Sequence, residues 1–165
     1  MDQRPAVRQS GTSRRPFLAV SLLDSLVRAV AVVMEQGRSA ALVGGLAVSA
    51  RAEPRFTRDA DGVEIDVLTA SSGIEAEIVE AADELDVIDG IRVPVAATGH
   101  LIALKLLSVA PGRETDVADL RSLAKAADAG EWDRAEAAVS LITARGFHRG
   151  RDLVADLAAL RADHI

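Results

Sequence analysis

Residues 41–68 read ALVGGLAVSARAEPRFTRDADGVEIDVL, and the succession of elements in this stretch decides the fold class. A short apolar, strand-like run at 40–43 ends in Gly44-Gly45. A helical segment at 46–52 then stops at Glu53-Pro54, because the residue before a proline is pushed out of the helical region. Two alternating runs follow, 56–60 and 63–68, separated by Asp61-Gly62, a strong two-residue hairpin signal. With Asp61 and Gly62 as the turn, Asp59 pairs with Glu64 and Thr57 with Asp66, so Asp59, Glu64 and Asp66 share a face. Asp59 and Asp66 are then diagonal neighbours, with Cα atoms roughly 7–8 Å apart. Asp59 and Asp61 also stand i, i+2, the spacing that puts two side chains on one face of a strand.

Acids gathered in this way repel one another unless a cation neutralises them. A hard divalent ion such as Mg²⁺ takes oxygen ligands and usually keeps a substrate phosphate as partner. A glycine pair opening a helix offers backbone N–H groups to such a phosphate. The pattern points to phosphoryl or nucleotidyl transfer. Turns also collect acids simply because they are solvated, and Gly44-Gly45 equally suits a tight strand-to-helix turn without a ligand. The residues alone leave both readings open.

Working outward, apolar residues recur at Ala19, Leu22, Leu23, Leu26, Val27, Val30 and Val33, a helical stripe over 16–36 that Gly37 suits as an end. Residues 1–15 have no periodicity and read as a flexible tail. Downstream, Ser72-Gly-Ile-Glu75 has the capping-box pattern and opens a short helix to about 82. A second hairpin, 85–88 with 91–94, is expected around Asp89-Gly90. Helices then follow at 99–108 (capped by Thr98 and broken by Pro111-Gly112), 114–127, 131–145 and 151–162. The fold class is α/β of the α+β kind. A core over 16–95 holds a small sheet with flanking helices, and a helical part follows over 96–165.

Composition narrows the function. Aromatics are nearly absent, with Trp132, three Phe and no Tyr, which argues against base recognition by stacking. The lack of cysteine excludes thiolate nucleophiles and Cys-based zinc sites. A net charge of −6 does not suit general electrostatic binding of nucleic acid, although Arg51, Arg55 and Arg58 offer a local basic patch. Arg4, Arg8, Arg14 and Arg15 precede an apolar run at 17–23, but Asp24 and Arg28 break it. A secretory or membrane segment is therefore not expected, and a cytoplasmic location is. His100 reads as a cap or surface residue, and His148 and His164 lack metal-ligand spacing. The stem of Lys105 is expected to pack on its helix while the ammonium reaches water. Arg113, Asp116 and Asp119 suit either an exposed salt-bridge pattern or a set that orients the lysine.

Four segments together carry a resemblance: GGLAVSARAEPRFTRDAD, VEIDVLTASSGIEAEIV, GHLIALKLL and RETDVADLRSL. In this order they resemble the nucleotidyltransferase AbiEii/AbiGii toxin family, within the polymerase-β-like nucleotidyltransferase superfamily, over residues 41–125. The resemblance implies a small mixed nucleotidyltransferase-type sheet followed by helices. It also implies Mg²⁺-dependent transfer of a nucleoside monophosphate from an NTP to an RNA (such as tRNA) or protein hydroxyl, in a toxin–antitoxin or abortive-infection system. Carried over by position, Gly44 and Gly45 would hold the triphosphate, and Asp59 and Asp61 would be the paired metal ligands. Asp66 would be the third acid, which also binds metal and helps activate the attacking hydroxyl. Lys105 would contact the triphosphate and offset charge on the leaving pyrophosphate.

In one respect the chain departs from the family. Several dozen residues normally separate the paired aspartates from the third acid, and here only Gly62, Val63, Glu64 and Ile65 intervene. Strand parity is kept across this apparent internal deletion, but a sheet edge and a cleft wall are not. Two further readings therefore stand beside the enzyme: an inactive nucleotidyltransferase-fold module for binding or dimerisation, which would self-associate as a homodimer, and a metal-dependent nuclease built on the same acids. A cognate antitoxin is a further expected partner of the toxin reading.

Overall fold

The computed structural model describes residues 22–35, 37, 39–52, 71–88, 91–110 and 114–164. Within them the chain is α+β. Helices α1 (Leu22–Glu35), α2 (Gly45–Arg51) and α3 (Glu75–Glu80) precede a hairpin of β1 (Asp83–Ile88) and β2 (Ile91–Val95). Helices α4 (Thr98–Ser108), α5 (Glu114–Ala126), α6 (Ala129–Ala144) and α7 (Leu153–Ala162) follow. The acid-bearing hairpin expected over 56–68 lies outside the described residues, as do the Asp89-Gly90 turn and the tail.

The second hairpin forms as its alternation predicts. β1 and β2 are antiparallel, with Leu85 opposite Val93 and Ile88 opposite Ile91. The register slips by one between Asp86 and Ile88, so Val87 is the extra residue of a bulge. The expected strand at 40–43 is reduced to one parallel bridge, Leu42 to Val95. Leu42 N–H donates to Pro94 O at 2.7 Å, and Ala96 N–H donates back to Leu42 O at 3.0 Å. This bridge brings Gly44, two residues on, close to the end of β2 and the start of α4.

Arg51, expected in a basic patch, is instead a latch. From the last turn of α2 its Nε donates to Ala96 O (3.0 Å) and its Nη2 to Val95 O (2.8 Å) and Asp83 Oδ2 (2.9 Å). Its donors satisfy carbonyls at the C-terminal end of β2, which would otherwise be costly to bury.

The core is organised on α4. Leu101, Ile102, Leu106 and Leu107 are buried there, and α4 packs against α5, α6 and α7. From those helices Leu120, Leu123, Trp132, Val139, Ile142 and Leu153 complete the core. Gly99 lets α4 approach α6 closely: a Cβ there would lie 2.4 Å from Glu131 O and 2.8 Å from Ala135 N.

Two expected caps differ from the reading of the sequence. Thr98 lies inside α4, whose N-cap is Ala97 with no side-chain bond. Glu131 of α6 serves instead, its Oε2 accepting from Gly99 N–H at 2.6 Å. At α3 the N-cap is Ile74, also without a side-chain bond. Only half of the capping box forms: Glu75 Oε1 accepts from Ser72 N–H (2.6 Å), while Ser72 Oγ donates to the same oxygen (2.9 Å) rather than capping the helix. At α6 and α7, Asp128 and Asp152 cap as aspartates commonly do, accepting from Glu131 N–H (2.9 Å) and Ala155 N–H (3.0 Å).

Candidate functional site

The side chain at the centre of the candidate site is Lys105, in the last turn of α4. Its neighbours Leu106 and Leu107 are buried in the core, which ties the lysine to the face where α5 packs. On α5, Asp116 and Asp119 stand i, i+3 and so share a face. Lys105 Nζ lies 2.7 Å from Asp116 Oδ1 and 2.8 Å from Asp119 Oδ2. All three side chains are largely out of water, at 15%, 9% and 2% exposure. The ammonium therefore does not reach into solvent as expected, and the acids are not an exposed salt-bridge pattern. The alternative reading, acids that orient the lysine, matches this geometry. Ser108 adds to the cluster: its Oγ donates to Lys105 O at 3.0 Å and lies 3.5 Å from Asp116 Oδ2.

A cleft of about 280 Å³ opens over this cluster, lined by Gly44, Ser71, Ser72, Lys105, Asp116 and Arg149 among others. Gly44 reaches it in a left-handed conformation (φ 81°) that suits glycine. Gly45 is the first residue of α2. Three of the residues singled out by sequence, Gly44, Lys105 and Asp116, thus meet on one cleft, with Asp119 behind the lysine. Asp59, Asp61 and Asp66, together with Arg113, lie outside the described residues. Among the described residues, no group of three or more His, Asp or Glu is arranged to hold a metal ion.

An ammonium has three N–H donors. Two carboxylates stand within reach of these donors, Asp116 at 2.7 Å and Asp119 at 2.8 Å, which constrains the orientation of the ammonium. The rim beside it is built by the 71–73 turn. There Glu75 collects the N–H groups of Ser71 and Ser72, both at 2.6 Å. Burial works to raise the Glu75 carboxyl, but these hydrogen bonds and the Ser72 hydroxyl outweigh it and hold the group below its ordinary range.

A second, wider groove of about 570 Å³ is lined by Ile74, Glu77, His100, Arg134 and Leu141 among others. His100, expected at the surface, is only 5% exposed. Burial, helped by the nearby Arg134 guanidinium, holds its imidazole below the usual histidine range. The Arg145 hydrogen bond at 2.6 Å does the same to the Glu77 carboxyl.

Arg149 and Glu131 were not legible as functional or packing residues. The only signal near Arg149 is the pair of glycines bracketing it, Gly146 and Gly150, both with left-handed backbones (φ 79° and 73°). No family model matches the chain, and no curated protein matches it in sequence. Among the described residues, no helix is long and apolar enough to cross a membrane.

Proposed function

We propose that the protein is a Mg²⁺-dependent nucleotidyltransferase of the AbiEii toxin type, moving a nucleoside monophosphate from an NTP to a hydroxyl of RNA or protein. The observation that carries this reading is the buried Lys105–Asp116–Asp119 cluster, opening beside Gly44 onto one cleft. These residues come from three separated segments, and a merely solvated lysine would have no need of two buried carboxylates. An ion cluster buried on a cleft costs desolvation, so it is weak evidence for stability and better evidence for a site.

In the proposed reaction, Lys105 is held by its two aspartates with one N–H toward the phosphate chain. The acceptor hydroxyl gives its proton to the Asp66 carboxylate and attacks the α-phosphorus. The bond to the β-phosphate breaks, and pyrophosphate leaves with its electron pair. Asp59, Asp61 and Asp66 are the residues that would hold Mg²⁺, which supplies charge compensation for the phosphates and acidifies the acceptor hydroxyl. No covalent intermediate with the protein is needed.

The test is melting temperature and pyrophosphate release, measured with Mg²⁺ and each NTP in turn. At least one NTP is expected to raise the melting temperature and to release pyrophosphate once an acceptor is supplied, and Asp59→Asn is expected to abolish both. A wild-type protein indifferent to every NTP would end the enzyme reading and leave the inactive binding module.

A further inference from the structure

The connection between α6 and α7 is fastened across the 71–73 turn by three alternate residues. Arg145 Nη1 donates to Gly73 O, and its Nη2 pairs with Glu77 Oε1 at 2.6 Å. The Phe147 ring lies against Gly73, where an added Cβ would meet Phe147 Cδ2 at 2.5 Å. Arg149 reaches over the same turn, but among the described residues its guanidinium makes one long 3.3 Å hydrogen bond, from Nη2 to Ser71 O. The first two residues are committed to holding the turn; the third is not.

Arg149 is also the one non-glycine residue with a positive φ (53°) among the described residues. That region is uncommon for a residue with a side chain, and glycine occupies it at both neighbouring positive-φ positions, 146 and 150. Residues kept in such conformations cluster at ligand sites, where the surroundings hold the side chain for a purpose. Arg149 lines the same cleft as Lys105 and is exposed. Lys105 is shared by two carboxylates, whereas no described carboxylate stands within salt-bridge distance of Arg149.

We propose that Arg149 is the phosphate-binding arm of this cleft, its guanidinium gripping two oxygens of the phosphate chain of a nucleoside triphosphate. A guanidinium fork matches phosphate oxygens in a bidentate way that an ammonium does not. The third N–H of Lys105 meets the chain from the floor of the cleft while Arg149 closes on it from the rim. The C-terminal helical part is then a contributor to the nucleotide site. The choice of ligand rests on the nucleotidyltransferase reading; the choice of residue does not.

The experiment measures binding of each Mg²⁺-NTP and of Mg²⁺-tripolyphosphate by thermal shift and calorimetry, using the full chain as wild type, Arg149→Gly and Arg149→Lys. Glycine relieves the positive φ while removing the guanidinium. Arg149→Gly is therefore expected to melt at or above the wild-type temperature without ligand, yet to bind an NTP and tripolyphosphate at least tenfold more weakly. Arg149→Lys should fall between them. Wild-type affinity in Arg149→Gly would overturn the phosphate arm and leave the enzyme reading standing. A ligand-free melting temperature of Arg149→Gly well below wild type would assign Arg149 to packing and overturn it as well. Tripolyphosphate binding lost in Arg149→Gly, with no response of the wild type to any NTP, would support the arm and end the nucleotide reading. A wild type that binds neither ligand would overturn both.

Discussion

The two ends of α4 bury polar groups in opposite ways. At its N-terminal end, Gly99 and His100 sink into the contact with α6 through shape: there is no Cβ to keep the backbones apart, and the imidazole is buried beside them. At its C-terminal end, Lys105 sinks among charges, held by two aspartates from α5. One end is buried for packing, and the other is buried around an ammonium that the fold must compensate. A single helix therefore carries a structural end and a chemical end, and substitutions at each should fail for different physical reasons.

The largest effect is expected at the chemical end. Lys105→Ala removes an ammonium that two buried carboxylates share, and breaking a buried pair in this way typically costs roughly 3–5 kcal/mol. Replacing the whole set, as Lys105→Met with Asp116→Leu and Asp119→Leu, should recover much of that loss, because the desolvation penalty disappears together with the attraction. Urea denaturation of the single and triple variants measures the difference. A neutral Lys105→Ala would break the comparison, since the lysine would then be solvated rather than compensated.

A smaller but still substantial loss is expected from Gly99→Ala. The new Cβ would press on backbone atoms of α6, Glu131 O at 2.4 Å and Ala135 N at 2.8 Å, and backbone cannot swing aside as a side chain can. Overpacking of this kind costs about 1–3 kcal/mol and sometimes more. Glu131 would lose its bond to Gly99 N–H as the helices part. The same denaturation assay reads it, and unchanged stability would mean that the α4–α6 approach is looser than the geometry requires.

The two ends also differ in how far the sequence foretold them. Asp116 and Asp119 share a helix face by spacing alone, and the segment carrying Lys105 is helical by its leucine pattern. What spacing cannot say is that the two helices pack so that these faces meet, because that depends on Leu120 and Leu123 burying against α4. The close approach at Gly99 is more hidden still: a glycine inside a helical run reads as a weak helix former until the partner helix is in place. His100 was read as a surface or capping residue for the same reason, since its burial is decided by α6. Local signals fared better where the physics is local. Helices α1 and α6 end two residues before Gly37 and Gly146, and β1 pairs with β2 as expected, with a bulge no pattern announced. At Ser72-x-x-Glu75 even a local motif was redirected, because Glu75 turned to gather the turn's own N–H groups.

The smallest expected effect distinguishes the ends by pH. His100 is held below its unperturbed value of 6.5 by burial, so the native state prefers the neutral ring while the unfolded chain takes up a proton more readily. Between the two pKa values the unfolded state binds more protons, and stability rises with pH there. The contribution of His100 is therefore complete above about 6.5 and is lost as pH falls through its lower folded value. Glu77 and Glu75 act in a lower window: their folded values lie below the ordinary 4.5, so their contributions are present above 4.5 and fade as pH falls beneath it. Thermal melts carried from pH 8 down to well below pH 4.5 should show a decline between pH 7 and 5 that His100→Leu flattens, leaving the fall below 4.5 unchanged. Unaltered slopes between pH 7 and 5 in that variant would mean that the packing end of α4 admits a proton freely, and that its burial is not the apolar kind ascribed to it.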